Sequence, residues 1–416
     1  MSAVRIRPPP LSLKLFKYES PASLSLKTGG FSLILKKSKG DYIWDKRGKR
    51  YYDFTSLFGV SLFGHFNPFI IKRVKNYFKK MPHSMADLFP YEEREKLSEE
   101  IVSLFKNKSL SVTFGISGTD AVELAIKTAF LYTKRERIIS FRNSYHGLSM
   151  GIIPLTNLKH FQNPFKKFLK NYSVEFKFPE NEEELEELEK RLKKINPSEI
   201  AGIIVEPIQG RGGIRIPPKG FLKILYDFCK NNDVLFIVDE IFTGFSRTGK
   251  DFCFQYEIDF PDILCLGKAL GGGFPISACV GRREIMNIWK IKGDPLYATT
   301  FLTHPLSIIS SLAFLELYKR EKPVEVVKEK EKIFEEYLLK LKNSEKIKDI
   351  RGKGLIWGID FKEERFALKV WKFLIEKGFL TLLEGEKHNV LSFVPSVYFE
   401  EKMLRKAIYH IFSLSQ

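Results

Sequence analysis

Lys268 and Asp239 are the residues best placed for covalent chemistry. Lys268 lies just past the apolar run Ile263-Leu264-Cys265-Leu266 and just before the glycines Gly271 to Gly273. Upstream, another apolar run, Val234 to Val238, ends in the acidic pair Asp239-Glu240. Two buried strands ending in this way would bring an amine and a carboxylate to one edge of a sheet, where open α/β sheets bind ligands. A lysine there can form a Schiff base with a carbonyl cofactor, and an aspartate can pair with a pyridinium nitrogen. Taken singly, Lys268 reads as a solvated strand-end lysine and Asp239 as a turn cap. It is their combination, beside a glycine run, that favours chemistry.

Ser117-Gly118-Thr119 stands between a strand, Val112 to Gly115, and a helix beginning near Asp120. The glycine lets backbone N–H groups approach an anion, and the helix N-terminus favours negative charge. A simple helix cap would look the same. Tyr145 and His146 follow the strand Arg137 to Phe141, where an aromatic ring can stack on a flat cofactor. Glu206-Pro207 closes the strand Ala201 to Val205 and opens the loop Gln209-Gly210-Arg211-Gly212-Gly213, while Ile241 can press on the other ring face. Thr299-Thr300-Phe301 adds a hydroxyl pair. Each motif alone has an ordinary packing or capping explanation. A lysine, a ring-nitrogen carboxylate, stacking groups and an anion cradle together describe the chemistry of pyridoxal 5′-phosphate. No metal-ligand spacing occurs.

The elements that must position these groups alternate from about Val112 onward. Short apolar runs at Ala201–Val205, Val234–Val238 and Asp262–Leu266 suit buried parallel strands. Glu182 to Lys194 reads as a helix, with Leu185, Leu188, Leu192 and Ile195 at helical spacing and acids before bases, as the helix dipole favours. Arg47-Gly48 separates two short strands in a hairpin, and long helices follow Ser307. This pattern is α/β: a mostly parallel central sheet flanked by helices, with a smaller α+β domain built from both chain ends. The expected boundaries are 1–80 and 307–416 for the smaller part and 81–306 for the cofactor-binding part.

With 416 residues, 44% hydrophobic, the chain can bury a large core. The net charge of +18 is spread along the whole chain with no basic stripe, so nucleic acid is not an expected partner. No apolar run has the length of a membrane span. The four cysteines lie in apolar stretches without ligand spacing, as buried thiols do in a reducing cytoplasm. The basic start, Met1 to Lys17, is broken by Pro8-Pro9-Pro10 and reads as an arm, not a targeting peptide.

In this order Ser117-Gly118-Thr119-Asp120-Ala121, Tyr145-His146-Gly147, Glu206-Pro207-Ile208-Gln209-Gly210, Asp239-Glu240-Ile241, Thr243-Gly244, Arg247-Thr248-Gly249, Lys268 and Thr299-Thr300-Phe301 resemble the class III pyridoxal-phosphate-dependent aminotransferases. That family includes the acetylornithine, ornithine and 4-aminobutyrate enzymes. Gly64-His65 and Arg351-Gly352 extend the resemblance over nearly the whole chain. It implies a fold type I homodimer with active sites at the subunit interface, and an amino group moved from an amino acid or ω-amine to a 2-oxo acid by a ping-pong mechanism. It makes Lys268 the Schiff-base lysine and Asp239 the partner of the pyridine nitrogen. Tyr145 and Ile241 would sandwich the ring, with Ser117, His146 and Glu206 around it. Gly118 and Thr119 would hold the phosphate together with Thr300 of the partner subunit.

Four positions depart from the family's familiar members. Ser392 stands where many have a carboxylate-gripping arginine, Arg211 where they often have glutamate, Leu148 where an arginine follows the aromatic-His-Gly, and Phe242 where acetylornithine-type enzymes place glutamine. Arg211 could supply the missing positive charge, or be a solvent-facing loop residue. Leu57, Phe58, Tyr297 and Phe301 could form an apolar rim, or simply pack. An aminomutase of the glutamate-1-semialdehyde type and a non-catalytic binding protein are the alternative functions. Intact Lys268 and Asp239 argue against the second.

Overall fold

The computed structural model describes residues 33–85, 88–290, 293 and 295–415. The arm expected at Met1–Lys17 lies outside them. Three short strands come first: β1 (Leu35–Lys39), β2 (Tyr42–Asp45) and β3 (Arg50–Asp53). β2 and β3 form the expected hairpin, with Trp44 opposite Arg50.

The central sheet follows. Its strands are β4 (Leu110–Gly115), β5 (Arg137–Phe141), β6 (Ser173–Phe176), β7 (Ile200–Val205), β8 (Leu235–Asp239), β9 (Ile263–Leu266) and β10 (Ser277–Arg282), in the spatial order β4-β10-β9-β8-β7-β5-β6. Neighbours from β9 to β6 are parallel, and β10 runs antiparallel to both β9 and β4. The sheet is covered on both faces, so its central strands β7, β8 and β9 are buried along their whole length. Side chains still alternate in destination. Leu235 and Ile237 of β8 join one core with Ala121, Leu124 and Ala125 of the helix Gly118–Thr133, whereas Phe236 and Val238 join the other with Phe221 and Leu225.

The remaining strands are β11 (Ile347–Lys353), β12 (Ile356–Phe361), β13 (Phe379–Leu380), β14 (Leu382–Glu384) and β15 (Val390–Phe393). β11, β12, β15 and β14 make an antiparallel sheet in that order. β13 pairs with β3, setting Phe379 beside Tyr52, so an early and a late segment of the chain share one sheet. Gly354, in the β11–β12 turn, has φ +59° and no room for a side chain: a Cβ there would meet the Arg247 carbonyl oxygen at 2.3 Å. Close backbone contact thus joins this late hairpin to the Arg247 loop. All four cysteines are buried and free. Among the described residues no helix is long and apolar enough to cross a membrane, and no group of side chains is arranged to hold a metal ion.

Candidate active site

The parallel strands deliver their following residues to one edge of the sheet. Asp239 ends β8 opposite Cys265 of β9, and Lys268 follows β9 closely. Glu206 follows β7, and Tyr145 and His146 follow β5. Beside them lies the N-terminus of the helix Gly118–Thr133. The expected edge therefore exists, and it borders a cavity of about 260 Å³ lined by Gly118, Tyr145, His146, Asp239, Ile241 and Lys268 among others.

Asp239 is 3% exposed. Its Oδ2 lies 2.8 Å from His146 Nδ1, and its Oδ1 accepts the Ile241 N–H at 3.1 Å. The imidazole is buried too, and its Nε2 has no hydrogen-bond partner. One histidine contact and one backbone donor fix the carboxylate in place, with its charge beside the cavity.

Lys268 opens a short 3₁₀ turn with φ 42°, a left-handed conformation that costs energy in a residue with a Cβ. Such strain persists where surrounding structure over-determines it. Its Nζ sits 4.4 Å from the centre of the Phe242 ring. Burial disfavours the ammonium and brings the amine down to about 8, although Asp239, Glu206 and Glu384 pull upward. Burial likewise pushes the Glu206 carboxyl up to about 7; Asp239 adds to the rise, while His146 and Lys268 oppose it. Glu206 accepts the Tyr145 N–H at 2.8 Å and so anchors the loop that carries the ring.

Ser117 caps the neighbouring helix in a capping box with Asp120. Asp120 Oδ2 accepts the N–H groups of Ile116 and Ser117, at 2.9 and 2.8 Å. Gly118 and Thr119, outside those bonds, line the cavity. A Cβ at Gly118 would lie 3.0 Å from Ile241 Cδ1, so a larger residue there would crowd the space between helix and cavity.

Phe58 and Arg211 also line the cavity, but Leu57, Ser117, Tyr297, Thr300 and Phe301 are not among the lining residues. Thr300 is exposed on the surface. Tyr297 packs beside the helix Gly118–Thr133, with Lys127 Nζ 5.7 Å from its ring centre. Ser392, in the arginine position of familiar members, is buried on β15.

Sequence reasoning missed Glu384. It ends β14 on the cavity wall and pairs with Arg211, Nη1 to Oε2 at 3.1 Å. The signal available was one acid closing the mostly apolar stretch Phe379 to Leu383, and pairing across such a distance in the chain has no local signature. Arg247 is fully buried and donates to the carbonyls of Pro395, at 2.7 Å, and Gly59, at 2.8 Å. Burial lowers its pKa to about 9, with the Asp53 carboxylate pulling the other way. It ties the early and late segments that close the cavity rim.

That rim rests on Asp53. Ser56, Leu57 and Phe58 all have positive φ, 44°, 48° and 62°. The Asp53 carboxylate accepts from Thr55 N and Oγ1 at 2.7 and 2.6 Å and from Leu57 N at 3.2 Å, and meets His65 Nε2 at 2.7 Å. These bonds hold a turn that would otherwise relax. Asp53→Ala is expected to destabilise the protein by about 3 kcal/mol, the combined loss of its hydrogen bonds to Thr55, Leu57 and His65. Chemical denaturation measures that loss. A KM rising by about tenfold would report the displaced Phe58 wall.

Comparison with known proteins identifies the family. Residues 25–414 match the family model for aminotransferase class III. The chain is 34% identical to the [LysW]-aminoadipate semialdehyde/glutamate semialdehyde transaminase of Sulfolobus acidocaldarius, over 88% of this chain and 91% of that one. It is 34% identical to the acetylornithine aminotransferase of Clostridium acetobutylicum, over 90% and 94%. Its structure resembles adenosylmethionine-8-amino-7-oxononanoate aminotransferase from Methanocaldococcus jannaschii with a TM-score of 0.89 and 30% identity, covering 97% of each chain. The protein is an aminotransferase of mixed α/β fold type I architecture, and the chain belongs to the class III family.

Proposed function

We propose that the cavity holds pyridoxal 5′-phosphate and that the protein moves an amino group from an amino acid or ω-amine to a 2-oxo acid in two half-reactions. Support comes from one observation above all: Lys268, the Asp239–His146 contact and the Gly118-Thr119 helix start line the same cavity. When bound, the cofactor supplies an aldehyde that captures amines and a ring that accepts the electrons of a breaking Cα–H bond. The residues fit such a group. Asp239, held by His146 and the Ile241 N–H, is the carboxylate that would keep a proton on a ring nitrogen. Tyr145 and Ile241 can flank a flat ring. The first-turn N–H groups of Gly118 and Thr119 suit a phosphate, because a helix N-terminus concentrates donors and positive potential.

Lys268 is the residue whose Nζ would hold the cofactor's aldehyde carbon until an amine substrate took its place. Its Nζ, shifted toward neutrality, is the group that would hold and move a proton beside the substrate carbon. Glu206 keeps Tyr145 in place throughout.

The reading includes a homodimer in the cytoplasm. Phe58, Leu88, Phe89 and Phe301 are all more than half exposed, more large apolar surface than a lone subunit needs. A second copy would cover it, and the exposed Thr300 is free to reach the partner's phosphate. The domain boundaries 1–80, 81–306 and 307–416 belong to the same reading.

The test is the visible spectrum of the purified protein during donor addition. A yellow band that fades with one donor and returns with one oxo acid is expected. Absence of any band after cofactor addition would refute the proposal.

A further inference from the structure

The mechanism leaves one charged pair on the cavity wall without a role. Arg211 rises from the loop at Gly210–Gly213, and Glu384 closes β14. Beyond their 3.1 Å contact, the two segments share a backbone bond, Gly385 N–H to the Arg211 carbonyl at 2.9 Å. The guanidinium lies 5.9 Å from the centre of the Tyr145 ring. Both residues face the same cavity as Lys268. The pair is lopsided in its access to water: the Glu384 side chain is 8% exposed and that of Arg211 34%. Burial raises the Glu384 carboxyl above its usual range, while Arg211 and Lys268 pull it back.

A buried ion pair opens without penalty only if both charges find new partners. A substrate carboxylate that captured Arg211 would strand Glu384 away from water. A substrate ammonium that captured Glu384 would release Arg211, which can turn to solvent. A group carrying both charges would replace both partners at once.

We propose that Arg211 and Glu384 form a two-signed subsite for the end of the amino donor remote from the transferred amine, selecting a zwitterionic end over a lone ammonium and rejecting a lone carboxylate. The proposal rests on the aminotransferase reading of the same cavity. It also revises the simpler idea that Arg211 is an open carboxylate site, because Glu384 already occupies it.

Four amines of matched chain length provide the test: pentylamine, 1,5-diaminopentane, 5-aminopentanoate and 2,5-diaminopentanoate. Each is given to the holoenzyme, with loss of the visible band followed by stopped flow and binding by calorimetry. The zwitterion is expected to exceed 5-aminopentanoate by at least about tenfold in both readouts, with the diamine between them. Glu384→Gln removes the competing charge, so it should raise 5-aminopentanoate, lower the zwitterion and compress their ratio by about tenfold. Arg211→Gln should weaken the zwitterion without helping the carboxylate. Equal efficiency of 5-aminopentanoate and the zwitterion in the unmodified enzyme would overturn the subsite, and that comparison needs no variant to fold. So would a Glu384→Gln effect that scales all four amines alike. If calorimetry keeps the ranking while no amine bleaches the band, the subsite stands and the transamination reading falls. If amines react without any ranking, the reverse holds.

Discussion

Lys268→Ala is expected to lower transamination by at least about 10⁴-fold, the upper range for loss of a positioned acid–base group. The physical basis is the position of the amine. Nζ lies on the cavity wall with Asp239, Glu206 and Glu384 in its field, and burial outweighs all three in bringing it to about 8. At pH 7 about a tenth of such an amine is neutral, against about one part in three thousand for an ordinary lysine. The variant should also hold pyridoxal phosphate reversibly and release it on gel filtration, while borohydride fixes the cofactor only to the unmodified chain. The pH dependence carries a sign. Burial penalises the protonated form, so uptake of pyridoxal phosphate by cofactor-free protein should accelerate as pH rises toward about 8 and level off above it. Uptake that keeps accelerating to pH 10 would show an ordinary, solvated lysine. A variant retaining more than a hundredth of the activity would remove Lys268 from the reaction.

Much of this site was legible because its parts lie at strand ends. The runs before Asp239 and Lys268 are short, apolar and free of glycine, so their strands could be read directly and their common edge followed from the rule for open sheets. Ser117 and Asp120 announced the helix start by local chemistry, and the structure forms both halves of the capping box. What escaped was whatever depends on contact between distant segments. Glu384 meets Arg211, and Arg247 meets Pro395 and Gly59, through folds of the chain that leave no periodic trace. The parallel pairing of β13 with β3 is equally silent, since each strand is short and its partner lies far away in the sequence. The strain at Ser56–Phe58 and at Lys268 was also unreadable, because no glycine marks these left-handed positions.

The second large effect concerns Asp239. Asp239→Asn keeps the shape of the side chain and can keep a hydrogen bond to Ile241 or His146, but it removes the charge. Activity is expected to fall by about 10²- to 10³-fold, the range for loss of one preorganised electrostatic group, with KM changing far less. Two roles could produce a fall: holding a proton on the ring nitrogen, or merely fixing His146, whose Nδ1 lies 2.8 Å from the carboxylate. A cofactor analogue methylated at the ring nitrogen separates them, because its positive charge needs no carboxylate to persist. If the charge is what matters, the analogue should restore a large part of the lost activity to the Asn variant. If it restores nothing while His146→Ala reproduces the defect, Asp239 is a positioning residue. The first outcome is expected. Asp239 is 3% exposed and lines the cavity with one oxygen on His146 and the other on the Ile241 N–H, so a cationic ring would meet a carboxylate already fixed in place.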